Sequence, residues 1–231
     1  MNNFLLRIPN IFLFYYINKK QQKTFNFYYI FYSMNQQQKV WNAIAPEWHE
    51  FKKIPSELSK NFLKKCSGKV LDLGSGSGRH LTKIKNGEMY LVDFSNEMLK
   101  LAKEKAEKNK IKAEFIQADL TNLPFTNDFF DYGISISALH CLKPKEHKKA
   151  IKELYRVMKP NSKTLIGVWN FNSKRFNQKK GKEKLIRWQD KGQRYYYLFE
   201  ENEIHNLFKK TGFKIISTHN SEMMINFVVT K

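Results

Sequence analysis

Three glycines at alternate positions, Gly74, Gly76 and Gly78, close the stretch VLDLGSGSG that begins at Val70, and one acid, Asp72, stands just ahead of them. Apolar and β-branched residues running into glycines mark a buried parallel strand that ends in a turn, with Ser75 between the first two glycines, whose bare backbone approaches a ligand. A dinucleotide fingerprint carries its third glycine one position later, where Arg79 stands; the spacing here is GxGxG, which favours a different adenosine cofactor. Two further acids follow at the ends of apolar runs. Asp93 closes MYLVD about 20 residues beyond the glycines, where a carboxylate takes both ribose hydroxyls. Asp119 closes QAD, where an acid accepts from an adenine amino group with Leu120 against the ring face. Phe94 and Met98 are placed to flank the adenosine, and Ser135, Ser137 and His140 to enter the same crevice, His140 as a substrate contact or as a polar-rim residue at a helix start.

These residues need a sheet whose strands all end at one edge. The glycine turn predicts a helix over Arg79 to Lys85 with its N-terminus aimed at the ligand, then a strand over Glu88 to Asp93. A helix over Asn96 to Asn109, a strand over Glu114 to Ala118 and a fourth strand over residues 129–137 follow. Ala150, Ile151, Leu154, Val157 and Met158 form the inner face of an amphipathic helix over Pro144 to Met158, stopped by Pro160, with Asn161 suited to a left-handed turn. Thr164 to Trp169 reads as the fifth strand, residues 170–194 as a basic, irregular insertion, and Glu201 to Thr211 as the last helix. The strands Lys214 to His219 and Met224 to Thr230 then close the sheet as an antiparallel hairpin. Upstream, Val40, Trp41, Ile44 and Trp48 recur at helical spacing around a break at Pro46, and a second helix spans Ser56 to Cys66.

The 231 residues, 42% hydrophobic and 15% aromatic, suit one well-cored domain and argue against disorder. A net charge of +20 draws polyanions such as nucleic acid or an anionic surface, unless it is only lysine solubility spread over helices. Two cysteines, Cys66 and Cys141, without a CxxC or a His/Cys cluster, support neither a disulfide framework nor a metal site, and a cytoplasmic setting fits best. Residues 1–33 contain no acid, and their longest unbroken apolar run, Ile11 to Ile17, is too short to span a bilayer. They read as an extension, untranslated or disordered, ahead of a second start at Met34; removing its four cations from +20 leaves +16 on residues 34–231.

The glycine turn with Asp72, Asp93 and Asp119 at these intervals resembles the class I methyltransferases that bind S-adenosylmethionine. The resemblance implies an α/β, Rossmann-like domain: a mostly parallel seven-stranded sheet, helices on both faces and a final antiparallel hairpin. It implies that the turn donates backbone groups to the methionine end of the cofactor, with Asp72, Gly74, Ser75, Gly76, Gly78, Asp93, Phe94, Met98, Asp119, Leu120 and Ser135 around it. In such proteins a helical segment like residues 36–51 lies over the cofactor, so Trp41 and Asn42 either pack or touch ligand. Where many relatives carry Gly-Gly after Pro160, this chain has Asn161 and Ser162.

Three further stretches, VWNAIAPEW, ISISALHCL and GVWN with a basic loop and RYYYLF, resemble the tRNA wobble-uridine carboxymethyl methyltransferases. Lys52, the single His140 followed by Cys141, and Asn170 depart from that family's pattern. The resemblance implies methyl transfer to the carboxylate of a carboxymethyl group on the wobble uridine of a tRNA anticodon loop. That carboxylate is ionised at neutral pH, so no base is needed. Arg194 would hold the carboxylate or a phosphate, Tyr195 and Tyr196 would stack a splayed base or cover the cleft mouth, and the insertion's cations would meet RNA backbone. A small zinc-binding activator subunit that adds a strand to an exposed fourth-position edge strand is implied as partner. Two other classes share the pattern: a methyltransferase for a small carboxylic acid, phenol or quinone precursor, and a noncatalytic RNA-binding module on a decayed fold, against which the intact acids and glycines argue.

Overall fold

The computed structural model describes residues 36–176 and 181–231. The extension 1–33, and Lys179 and Lys180 of the insertion, lie outside the described residues.

Strands apolar on both faces need cover on both sides, and the chain supplies it by alternating strands with helices. A first helix, α1 (36–43), leads into α2 (Ala45–Phe51), which starts where Pro46 fits a first turn, and α3 (Glu57–Leu63) is capped by Ser56, whose Oγ accepts from the Ser59 N–H. Then come β1 (Ser67–Leu73), β2 (Lys85–Asp93), α4 (Asn96–Lys108), β3 (Ala113–Gln117), β4 (Phe130–Ile136), a 3₁₀ turn (Leu139–Cys141), α5 (Pro144–Val157) and β5 (Met158–Trp169). The chain ends with β6 (Glu183–Arg187), β7 (Gln193–Tyr197), α6 (Glu201–Thr211), β8 (Lys214–Thr218) and β9 (Met224–Thr230).

The main sheet has seven strands in the order β3-β2-β1-β4-β5-β9-β8. Its first five are parallel, and β9 runs antiparallel to both β5 and β8. Asp72 of β1 lies beside Leu91 and Ile134, at the centre of the sheet. Period-two alternation sends Leu71 and Leu73 to the face covered by α5 and α6, and Val70 to the face covered by α4. A third, smaller cluster sits apart from these two: Trp41, Ile44, Ala45, Met98 and Tyr196, with Trp48, Phe94, Trp169 and Trp188 packed on it.

Four expectations are corrected. No helix follows the glycine turn; left-handed backbone at Gly74, Gly76 and Gly78 keeps the chain in turns, Gly78 and Leu81 donate into successive ones, and the chain enters β2 at Lys85. The amphipathic helix ends at Val157 and Met158 already belongs to β5, with Asn161 left-handed at φ 64° inside that strand. The insertion is not irregular throughout, since β6 and β7 pair as an antiparallel hairpin. The fourth strand is interior, between β1 and β5; the edge strands are β3 and β8.

Candidate cofactor and substrate site

Strand order reverses between β1 and β4, so the C-terminal tips of the parallel strands open on a crevice at the switch point. The three glycines there do different work. All are left-handed (φ 75°, 53° and 73°). A Cβ on Gly74 would lie 2.2 Å from the Ala138 Cβ, and one on Gly78 3.0 Å from that of Ala102, whereas one on Gly76 would meet nothing nearer than the Trp48 Nε1 at 4.0 Å. Gly74 and Gly78 are therefore glycines of close packing, and Gly76 is the one with open space beside it.

The turn does not offer its N–H groups in the way the sequence suggests. Gly74 and Ser75 donate to the Val92 carbonyl (2.8 and 3.0 Å), Gly78 to Ser75 (3.2 Å), and Gly76 to Asp93 Oδ2 (2.8 Å). What remains is acceptor-rich. Asp72 is 1% exposed, its Oδ2 is buried without a hydrogen-bond partner, and His80 Nδ1 stands 3.6 Å away. Asp93 also accepts from the Ser95 N–H (2.9 Å), and burial, reinforced by the charge of Asp72, pushes its carboxyl up to about 6. An orphaned buried carboxylate oxygen calls for a donor or a cation, and a turn whose glycine N–H groups are already spent is unsuited to a pyrophosphate.

Helix α1 is fastened over this edge. Ser95 caps α4, accepting from the Met98 N–H, and donates to Asn42 Oδ1 at 2.6 Å, while Gln38 Nε2 donates to the Phe94 carbonyl at 2.6 Å. Trp41 packs edge-on against Trp48, with centroids 5.1 Å apart. Phe94 is half-buried and Met98 buried beneath this helix. Asp119 accepts from the Thr121 N–H and hydroxyl through Oδ1 (2.6 and 2.5 Å), and Leu120 is buried in the main core.

Three assignments from the sequence change. Ser135 is fully buried in mid-sheet and its hydroxyl donates to the Leu73 carbonyl (3.0 Å), so it clasps β4 to β1 and faces no ligand. His140 is 1% exposed and its Nδ1 accepts from the Trp169 N–H (2.9 Å); burial drives it down to about 3, so it is a neutral fastener for the end of β5. Tyr195 and Tyr196 are both buried and stack no incoming base. Alternation along β7 sends Tyr195 to the main core, where its hydroxyl donates to Glu183 Oε2 (2.7 Å), and sends Arg194 and Tyr196 to the opposite side.

Arg194 is 5% exposed. Its Nη1 donates to the Tyr196 hydroxyl (2.7 Å), and its guanidinium lies 4.7 Å from the Trp188 ring centroid, 5.2 Å from Trp48 and 5.8 Å from Trp41. Its Nε and the Trp188 Nε1 are both buried without partners, and among the described residues no carboxylate pairs with it. Glu47, on the same wall, is taken by Lys191. Burial, then the charges of Arg79, Arg175 and Arg194, push the Lys52 amine down; Lys52 lies over Trp48 and Arg175 over Trp169, so with Arg194 three cations touch the aromatic box. Trp48, with its Nε1 toward Gly76, joins that box to the glycine turn. Sequence reasoning named Trp48, Lys52 and Arg175 separately and missed Trp188 and the meeting of all four at one box. Their signal was rarity: the chain has four tryptophans, and all four belong to this cluster.

The sequence model of the family described as "Methyltransferase domain" matches residues 70–161, the stretch from β1 through the start of β5. The chain carries a class I S-adenosylmethionine-dependent methyltransferase domain. A solved S-adenosylmethionine-dependent methyltransferase from Methanosarcina mazei shares the domain's fold with a TM-score of 0.65 at 22% identity, covering 77% of this chain and 98% of that one. The tRNA (carboxymethyluridine(34)-5-O)-methyltransferase of Arabidopsis thaliana is 38% identical over 136 residues, 57% of this chain and 32% of the relative. The ubiquinone/menaquinone biosynthesis C-methyltransferase UbiE of Vibrio campbellii is 33% identical over 144 residues, 55% of this chain and 54% of the relative. The chain thus spans about a third to a half of the length of these two curated relatives.

The methyltransferase site fits S-adenosylmethionine. The unpartnered Asp72 Oδ2 suits the cationic methionine end, Asp93 has acceptor capacity left for ribose hydroxyls, and the bare side of Gly76 admits close approach. No helix among the described residues is long and apolar enough to cross a membrane.

Proposed function

We propose that this chain methylates the carboxylate of a carboxymethyl group on the wobble uridine of tRNA, forming the methyl ester. One observation carries the reading: Arg194, a nearly buried guanidinium without an acidic partner, whose orphaned Nε lies in a tryptophan box adjoining the glycine turn. A buried cation without a counter-charge is costly, and a substrate carboxylate would remove that cost while fixing its own orientation. When bound, S-adenosylmethionine supplies an electrophilic methyl on a sulfonium, so that a C–O bond forms as the C–S bond breaks and no proton is transferred. Accordingly no residue acts as base; the His140 Nδ1 lone pair is already taken by the Trp169 N–H and burial pushes the Cys141 thiol up. The chain's part is alignment and exclusion of water. The Arabidopsis relative supports this substrate class. An accessory subunit that adds a strand would have to take β3 or β8, the two edges of the sheet.

A second reading, a small-molecule methyltransferase, is favoured by the aromatic lining of the same box and by the Vibrio relative. Incubation with labelled S-adenosylmethionine separates the two. Label in a base-labile ester of an anticodon nucleoside, from tRNA lacking the terminal methyl, is the expected result; label only in a quinone precursor or a small acid would overturn it.

A further inference from the structure

We infer that Trp48, Phe51 and Trp188 form a stacking platform for an unpaired nucleobase of the RNA substrate, with Lys52 taking the adjoining phosphate; this rests on the tRNA reading above. Phe51, on the last turn of α2, is 63% exposed and adjoins the partly buried Trp48 and Trp188, so the three make one aromatic patch. Its centroid lies 5.9 Å from Trp48 and 5.8 Å from Trp188, which are themselves 5.7 Å apart. The three rings meet at 51° to 70°, so they form a faceted mouth and do not close on one another as a sealed stack. Lys52 Nζ sits 4.7 Å above the Phe51 ring and 5.9 Å from Trp48, and among the described residues it has no acidic partner.

Charge decides the occupant. An apolar protein segment would bury Lys52 beside Arg194 without compensation, and a neutral quinone ring would match the rings but leave both cations unanswered. A nucleotide answers both, its base against the rings and its phosphate against the ammonium, which is how single-stranded nucleic acid is held on aromatic and cationic surfaces. Tyr195 and Tyr196 are already taken, Tyr195 packed in the main core and the Tyr196 ring stacked on Trp169 at 4.3 Å. The platform adjoins the Arg194 box through the shared Trp48 and Trp188, so it would hold the modified uridine or its neighbour while the carboxylate enters beside Arg194.

The test uses the full chain with a synthetic anticodon stem-loop carrying carboxymethyluridine. Phe51→Ala, at an exposed position, should melt as the wild type does and bind S-adenosylmethionine equally well, yet lose about five-fold or more in RNA affinity. Phe51→Tyr should restore that affinity, and Lys52→Gln should weaken RNA binding with a shallower salt dependence. RNA should quench tryptophan emission less in Trp188→Phe than in wild type. If the wild type methylates the stem-loop while Phe51→Ala binds it equally tightly, the platform is wrong and the tRNA reading stands. If the wild type methylates no RNA and accepts a quinone precursor, both fall.

Discussion

Asp93 sits in a nearly dry seat, held by two backbone N–H donors and pushed up to about 6 by burial. Ribose hydroxyls are best accepted by the ionised form, so S-adenosylmethionine affinity should weaken as pH falls through about 6, and Asp93→Asn should bind weakly at every pH; calorimetry across that range checks both. The same raised value makes Asp93 favour the fold at low pH, a contribution lost as pH rises through about 6. His140 and His147 act in the opposite sense. Burial holds them neutral, at about 3 and about 4, so their contribution is complete above the usual histidine range and is lost as pH falls. With two such histidines against one such acid, urea midpoints should fall as pH drops below about 6. The glycines separate in the same way. Gly74→Ala places a Cβ 2.2 Å from Ala138 at a left-handed φ and should cost about 2–5 kcal/mol of stability. Gly76→Ala has room, so it should cost only about 1–2 kcal/mol and act mainly by weakening cofactor binding; melting and calorimetry on the pair distinguish the two effects.

Among the elements, the hairpin of β6 and β7 matters most to the site. It is short, and it is held by its neighbours: Gln37 bonds to Gln193 and Tyr195, Lys191 to Glu47, and Lys182 to Glu200 and Glu203. Strand alternation decides that Arg194 enters the box and Tyr195 does not, an outcome invisible once the segment is taken as irregular. The end of β5 is fixed in turn by His140, whose ring accepts the Trp169 N–H and packs 4.9 Å from the Trp169 ring. Replacing it by alanine leaves a buried N–H unsatisfied and should cost about 1–3 kcal/mol. The pH profile of turnover by the surviving folded fraction should keep its shape, as expected of a positioning residue that exchanges no proton. Urea melts and a pH series test this.

For the molecule as a whole, fewer of the 41 lysines and arginines are free to meet a polyanion than their number suggests. Lys182, Lys191, Lys159 and Lys231 are engaged with carboxylates, and Arg194 is buried. RNA affinity should fall with salt, with a slope near −0.7 per phosphate contact and so roughly −1 to −2 for Lys52 and Arg175 at the mouth, while cofactor affinity should hardly change. A slope near zero would place the RNA elsewhere, or exclude it.

The sequence by itself determined the sheet and the cofactor edge, because both rest on local rules. Period-two apolar runs, a glycine turn and strand-tip acids need no knowledge of distant neighbours, so α4, α6 and β9 fall where the pattern placed them to within about a residue. Tertiary structure alone decided which side chains face the acceptor. Arg194 and Trp48 lie 146 positions apart in sequence yet share one box, and no periodicity in either segment encodes the other. Whether Ser135, His140 and Tyr195 reach ligand or interior depends on strand register and on what packs above them, and burial settled each of the three inward.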